Sequence, residues 1–358
     1  MLKFFRSLIS DQSVVESPVH EAVAAPPAQV EGEGVAAFDV IAHLQDANGL
    51  PVLDWEAVTR WIEKIANPQA RATAWSACER AWLEHLRAAL GDGYALVMAD
   101  DVALLSPLAA HVAQATVSYV AKTRQRILRV LDGVAQVAEW GMDILVVFED
   151  EETYYRYVAH YYPEGGHFAG SGGMYIHHGC GHFVSVQAEL HALEPVIAHE
   201  LTHACLSHLP IPAWLNEGLA VNTEHRLSPP PSGAFSSRSS PQQMQARHRK
   251  FWGAAKLQEF WSGKSFLRPD EGNELSYDLA RILVSQFAGD WGQFRSFALE
   301  ANADDGGATA ARNHLGVDLG QAVCVLLEVD PAADLEPDPS AWTDAPERGA
   351  FRNRGGSC

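Results

Sequence analysis

Cysteine is scarce in this chain of 358 residues. There are five, Cys78, Cys180, Cys205, Cys324 and Cys358, scattered, odd in number and without a Cys-x-x-Cys pair. That spacing argues against a disulfide framework and for a reducing compartment, so the chain reads as cytoplasmic. Basic side chains are also few: 26 Lys and Arg stand against 45 Asp and Glu, a formal net charge of −19. A surface this acidic repels phosphate backbones and anionic lipid, which argues against nucleic acid as a partner. No run approaches the roughly 20 apolar residues that a bilayer span requires. The opening stretch, residues 1–10, is too short for the apolar region of a signal peptide and carries Arg6 within it. It reads as a frayed terminus or a small amphipathic helix. No internal repeat is present.

What is present is a metal-ligand pattern. Residues 199–203 read His199-Glu200-Leu201-Thr202-His203, and Trp214-Leu215-Asn216-Glu217-Gly218-Leu219-Ala220 follows. A helix turns about 100° per residue, so His199 and His203 share one face, a turn apart, and can reach a single ion. Glu200 lies further round, placed to touch a water on that ion rather than to ligate it. Ile197, Ala198, Leu201, Ala204 and Cys205 form an apolar opposite face that can pack into a core. Pro195 suits the start of this helix, and Pro210 and Pro212 mark its end and the start of the next. That next helix carries Glu217 back as a third ligand. Three protein ligands leave a fourth position open, the arrangement of a catalytic Zn2+ site.

The two segments together resemble the gluzincin metallopeptidases, and most closely the compact peptidase MA-like domains. The resemblance implies a zincin-like α+β fold, His199, His203 and Glu217 as zinc ligands, and Glu200 as the general base that deprotonates a zinc-activated water. It implies hydrolysis of peptide bonds in a peptide or protein substrate. Related enzymes place a Tyr or His after the third ligand to stabilise the oxyanion, which points to Tyr277; a tyrosine simply packed on its helix is the alternative. Thermolysin-like members carry an Asp four residues after the ligand Glu. Val221 stands there, and Glu224, on the same helix face as Glu217, is the candidate partner for a zinc-bound histidine. Aminopeptidase-like members hold a substrate amino terminus with a carboxylate upstream of the motif. Gly172-Gly173-Met174-Tyr175-Ile176 has none, which favours an endopeptidase. A second class stays open: a non-catalytic binding or regulatory protein that keeps a metalloprotease fold.

Composition divides the chain. Residues 1–36, rich in Ala, Pro, Glu and Gly, read as a disordered leader, and 37–92 as a helical block capped by Asp54 and cored by a tryptophan stripe. Residues 93–328 read as the mixed α/β metallopeptidase domain. Its strands are expected at 94–98, 144–148, 174–176 and 182–186, and its long helices at 107–131 and 151–162. Residues 228–250, with three consecutive prolines and many small polar side chains, read as a mobile insertion, either a lid or a plain surface loop. Helices follow near 251–261, 277–287, 291–299 and 317–328, and 329–358 reads as a disordered tail. His177, His178 and His182 form either an accessory patch or the polar side chains of an exposed strand edge. The edge 182–186, with His182 and Val184, is the expected place for an extended substrate to pair by strand addition. Cys180 carries a thiol close to the motif, with a nucleophilic role as its less favoured reading.

Overall fold

The computed structural model describes residues 25–137, 140–161, 173–176, 179–187, 193–228, 240–330 and 334–342. It is mixed α+β. Within those residues the chain divides into two compact units, one within Met1–Lys122 and Ala138–Ile197, the other within Thr123–Val137 and Ala198–Gly355.

The first unit opens on two hairpins. Strands β1 (Gln29–Gly32) and β2 (Val35–Asp39) pair antiparallel, as do β3 (Leu44–Ala47) and β4 (Leu50–Leu53). The β1–β2 hairpin lies partly inside the span read as a leader, and the block read as helical contains two further strands, β3 and β4. The signal was available: Asn48 and Gly49, both at positive φ (55° and 87°), make the two-residue turn that matches strand twist. Helices α1 (Trp55–Ile62) and α2 (Pro68–Leu90) follow, and the Asp54 carboxylate accepts from the Ala57 N–H at 2.9 Å, capping α1. Trp55, Trp61 and Trp82 are buried, as the stripe predicts.

A five-stranded sheet runs in the order β5 (Ala95–Ala99), β6 (Val102–Ser106), β7 (Asp143–Phe148), β9 (His182–Val186), β8 (Gly173–Ile176). β6, β7 and β9 are parallel, while β5 and β8 pair antiparallel to their neighbours. Helix α3 (Ala110–Val130) links β6 to β7, and α4 (Glu151–Tyr161) follows β7. The expectation for 182–186 is overturned here. β9 is hydrogen-bonded on both sides, to β7 and to β8, so it offers no edge to a substrate. His182 and Val184 are fully buried. The His182 ring is engaged at both nitrogens, Nδ1 with the Cys180 carbonyl at 2.7 Å and Nε2 with the Tyr157 hydroxyl at 2.8 Å. Five consecutive buried residues are what an interior strand covered on both faces requires, and an edge strand does not. His177 and His178 lie outside the described residues. Cys180 is buried with its thiol 3.2 Å from the Glu79 carboxylate, which leaves it unexposed to a substrate.

The second unit is helical. Helix α5 (Leu193–Leu206) carries the motif, and its later turns belong here with α6 (Ala213–Leu227), α7 (Pro241–Phe251), α8 (Ala254–Trp261), α9 (Gly272–Phe287), α10 (Trp291–Glu300) and α11 (Leu319–Leu327). α7 replaces the second half of the expected mobile insertion. Ser240 and Gln243 form a reciprocal capping box and Pro241 takes the first helical position, so polar composition here signals a helix start rather than a loop. Residues 229–239 lie outside the described residues. Trp214 heads α6, fully buried, its indole N–H donating to the Gly306 carbonyl at 2.9 Å and its ring packed edge-on to Trp261 at 5.7 Å. Part of the expected tail is ordered against this unit: Trp261 donates to the Leu335 carbonyl at 2.9 Å, Gln258 to the Glu336 carbonyl at 2.7 Å, and Leu335 is buried. No described helix is long and apolar enough to cross a membrane.

Helices α6 and α9 cross in unusually close contact at Gly218. A Cβ there would stand 2.6 Å from both the Ala280 carbonyl oxygen and Val284 Cγ2. The Asn222 side chain ties the crossing, donating to the Gly218 carbonyl at 2.7 Å and to that of Arg281 at 2.9 Å. Gly218→Ala is therefore expected to destabilise the protein by about 1–3 kcal/mol, the usual cost of overpacking, measured as a lowered denaturant midpoint at constant slope.

Candidate metal centre

The site is assembled by two consecutive helices of the second unit. α5 is anchored by buried Ala198, Leu201, Cys205 and Leu206, and its end is fixed by the Gln136 N–H donating to the Cys205 carbonyl at 2.9 Å. This leaves His199, Glu200 and His203 on the other face. α6 starts directly after Pro212, whose carbonyl accepts from Leu215 and Asn216 at 3.0 and 3.1 Å. Trp214 then sets the rotation of the helix, so that Asn216 and Glu217 project toward the two histidines.

His199, His203 and Glu217 each offer a ligand atom, and these atoms lie within 4.8 Å of one another. Glu217 Oε2 stands 3.3 Å from His199 Nε2 and 3.5 Å from His203 Nε2. Each imidazole is held from behind. Glu224 Oε2 lies 3.1 Å from His199 Nδ1, and Asn216 Oδ1 lies 3.0 Å from His203 Nδ1. Both oxygens accept, so each ring keeps its proton on Nδ1 and turns the Nε2 lone pair inward. Three acceptors then face one another, and the buried Glu217 Oε2 has no hydrogen-bond donor. Such a cluster can hold a cation at its centre. The two Glu217–imidazole distances suit one, since ligand atoms bound tetrahedrally at about 2.0–2.1 Å stand roughly 3.3 Å apart.

Without a metal the same groups trade protons. Burial raises the Glu217 carboxyl, but the two imidazoles beside it outweigh that and hold it well below the ordinary carboxylate range. Burial lowers the His199 imidazole, and its contacts with Glu217 and Glu224 reverse this and raise it to about 10. His203 moves up for the same reason, through Glu217. Glu200 is half-buried, and desolvation raises its carboxyl despite the opposing pull of His199 and His203.

Tyr277, on α9, is brought alongside by the Gly218 crossing. Its ring centroid lies 6.4 Å from that of His199 and 5.2 Å from that of Phe266. Burial, with Glu217 and Glu200 nearby, pushes its phenol well above the ordinary tyrosine value. Asn216 is the residue that reading the sequence missed. Its position immediately before the ligand Glu was the available signal, since the opposite faces of two ligating histidines each need an acceptor. Comparison with protein-family models finds no match for this sequence, and comparison with curated proteins finds no similar one.

Two outcomes follow for metal binding. Glu224→Ala and Asn216→Ala should each weaken metal affinity by about 10–100-fold, the usual effect of removing the partner that orients a ligand, read by competition with a chromophoric chelator. The pH dependence has a definite sign. His199 is raised from 6.5 to about 10 in the metal-free fold, so its contribution to stability is full below pH 6.5 and is lost as pH rises toward 10. Glu217 is depressed from 4.5, so its contribution is present above that value and is lost on acidification. The chelated protein should therefore lose thermal stability from pH 6.5 to 10, and metal should restore more of it at the higher pH because it no longer displaces protons.

Proposed function

We propose that this chain is a zinc-dependent peptidase of the gluzincin type, acting within peptide or protein chains. The observation that carries the reading is the convergence of two Nε2 lone pairs and one carboxylate oxygen, each imidazole proton being directed away to an acceptor of its own. Two imidazoles and one carboxylate in a compact set suit zinc among the common divalent ions, and the hard ions calcium and magnesium prefer more oxygen ligands. Zinc bound by this set supplies Lewis acidity and lowers the pKa of water.

The remaining chemistry belongs to the chain's own side chains. His199, His203 and Glu217 hold the ion, and Glu224 and Asn216 keep both rings in the ligating tautomer. Glu200, next to His199 and half-buried, accepts the proton of the attacking water. It then passes that proton to the amine nitrogen as the C–N bond breaks. Its raised carboxyl suits a group that must be base first and acid afterwards. Tyr277 keeps its proton at neutral pH and offers an O–H to the carbonyl oxygen as charge develops there. A binding protein that keeps the fold without catalysis would need the metal set but neither of these two groups; finding both at the site favours the enzyme.

The decisive comparison is a proteome-wide cleavage screen with zinc-loaded wild type and Glu200→Gln. Glu200→Gln should keep its zinc and its fold while turnover falls at least 10²–10⁴-fold, roughly the loss expected for a missing general base. Tyr277→Phe should lower kcat by about 10²–10³-fold with zinc affinity unchanged. Zinc-loaded wild type that cleaves nothing in the screen would reject the peptidase reading and leave the binding protein.

A further inference from the structure

Nothing among the described residues hydrogen-bonds the Tyr277 hydroxyl. Its position beside His199 must therefore be set by its ring and by the helix that carries it. Both routes lead to α7, the helix found where a mobile insertion was expected. The residue after Tyr277 is Asp278, and its Oδ2 accepts from His248 Nε2 at 2.9 Å. His248 is buried, 2% exposed, and its Nδ1 accepts the Trp252 indole N–H at 2.9 Å. That second bond fixes the tautomer: Nδ1 is an acceptor, so Nε2 carries the proton and can only donate to Asp278. The other carboxylate oxygen, Asp278 Oδ1, accepts from Arg281 at 2.7 Å. Asp278 is thus held on both oxygens.

The ring route returns from the same tryptophan. Trp252 packs edge-on to Phe260 at 5.7 Å, Phe260 lies 5.7 Å from Phe266, and Phe266 meets Tyr277 edge-on at 5.2 Å. Trp252 therefore reaches Tyr277 twice, through the polar relay His248–Asp278 and through the aromatic series. The two close a loop that leaves α9 little freedom to rotate about its axis.

We infer that His248, with Asp278, is a positioning residue for Tyr277, fixing where the phenol stands without touching substrate or metal. The inference rests on the proposed role of Tyr277, and its test separates the two. Catalytic positions tolerate little error, and a displacement near 1 Å costs on the order of 10²-fold. His248→Ala and Asp278→Ala should lower kcat by about 10–100-fold with zinc content and KM little changed. His248→Gln, which keeps a donor toward Asp278, should recover part of the loss. In a Tyr277→Phe background His248→Ala should cost almost nothing further, because a relay acting through the phenol has nothing left to position.

A readout independent of activity is the fluorine resonance of 3-fluorotyrosine placed at 277. It should be single and sharp in the parent, shifted or broadened in His248→Ala and Asp278→Ala, and restored in His248→Gln. If His248→Ala does not fold, Trp252→Phe keeps the ring against Phe260 but removes the N–H, and should perturb the same resonance. An unperturbed resonance in folded variants overturns the inference. So does an equal loss of kcat from His248→Ala with and without the Tyr277 hydroxyl, which marks a general structural role. A protein that cleaves no peptide but still shows the resonance change loses the proposed function and keeps the positioning relay.

Discussion

Two imidazole nitrogens and a carboxylate oxygen, all acceptors, point at one another inside a protein interior. Without a cation between them the set is kept by protons, which the two imidazoles hold against the ionised Glu217 carboxylate. Glu224 and Asn216 take the outward protons, which holds both rings with Nε2 turned inward. The buried face of α5 and the indole of Trp214 prevent either helix from rotating away. The close crossing at Gly218 presses α9 against the ligand-bearing helix. A cation entering this set would displace those protons, so metal affinity and protonation are linked here.

The two halves of the centre are asymmetric in charge. His199 is backed by a carboxylate and His203 by a carboxamide. A carboxylate partner makes its imidazole the stronger donor to a metal, whereas the carboxamide orients without adding charge. With the Glu217 carboxylate in the set and Glu200 beside it, negative charge already gathers around the site, so a neutral second partner limits further repulsion.

How far the sequence could be read depended on how local the determinant was. Helical spacing over a few residues brings His199 and His203 together, and that arithmetic needs no tertiary information. The buried strand at 144–148 and the cap at Asp54 are local in the same way. Glu224 follows from helix periodicity once Glu217 is placed. Strand pairing is not local. The run 182–186 reads equally as an edge or an interior strand, and only the partners on both sides, β7 and β8, decide it. Composition misled at both ends of the chain and at 240–250. Gly32 and Gly34 belong to a hairpin, and Ser240-Pro241 begins a helix. Polar, proline-rich text records a need for turns and caps as often as an absence of structure.

The segment 334–342 shows what that distinction means in practice. It has few apolar residues, yet it covers the back of the helical unit with directed hydrogen bonds: to the indole of Trp261, to both ends of the Gln258 amide and, through the Glu336 carboxylate, to the Gly320 N–H at 2.8 Å. Gly320 has no room for a side chain, since a Cβ would stand 2.5 Å from the Glu336 nitrogen. Trp261 in turn packs against Trp214, the first large side chain of the ligand-bearing helix. A boundary drawn at residue 329 from composition alone would strip this cover and leave a tryptophan N–H unpaired beneath the helix that supplies Glu217. The shortest fragment able to present the centre intact therefore extends beyond the last helix, through a stretch whose residues carry no chemistry of their own.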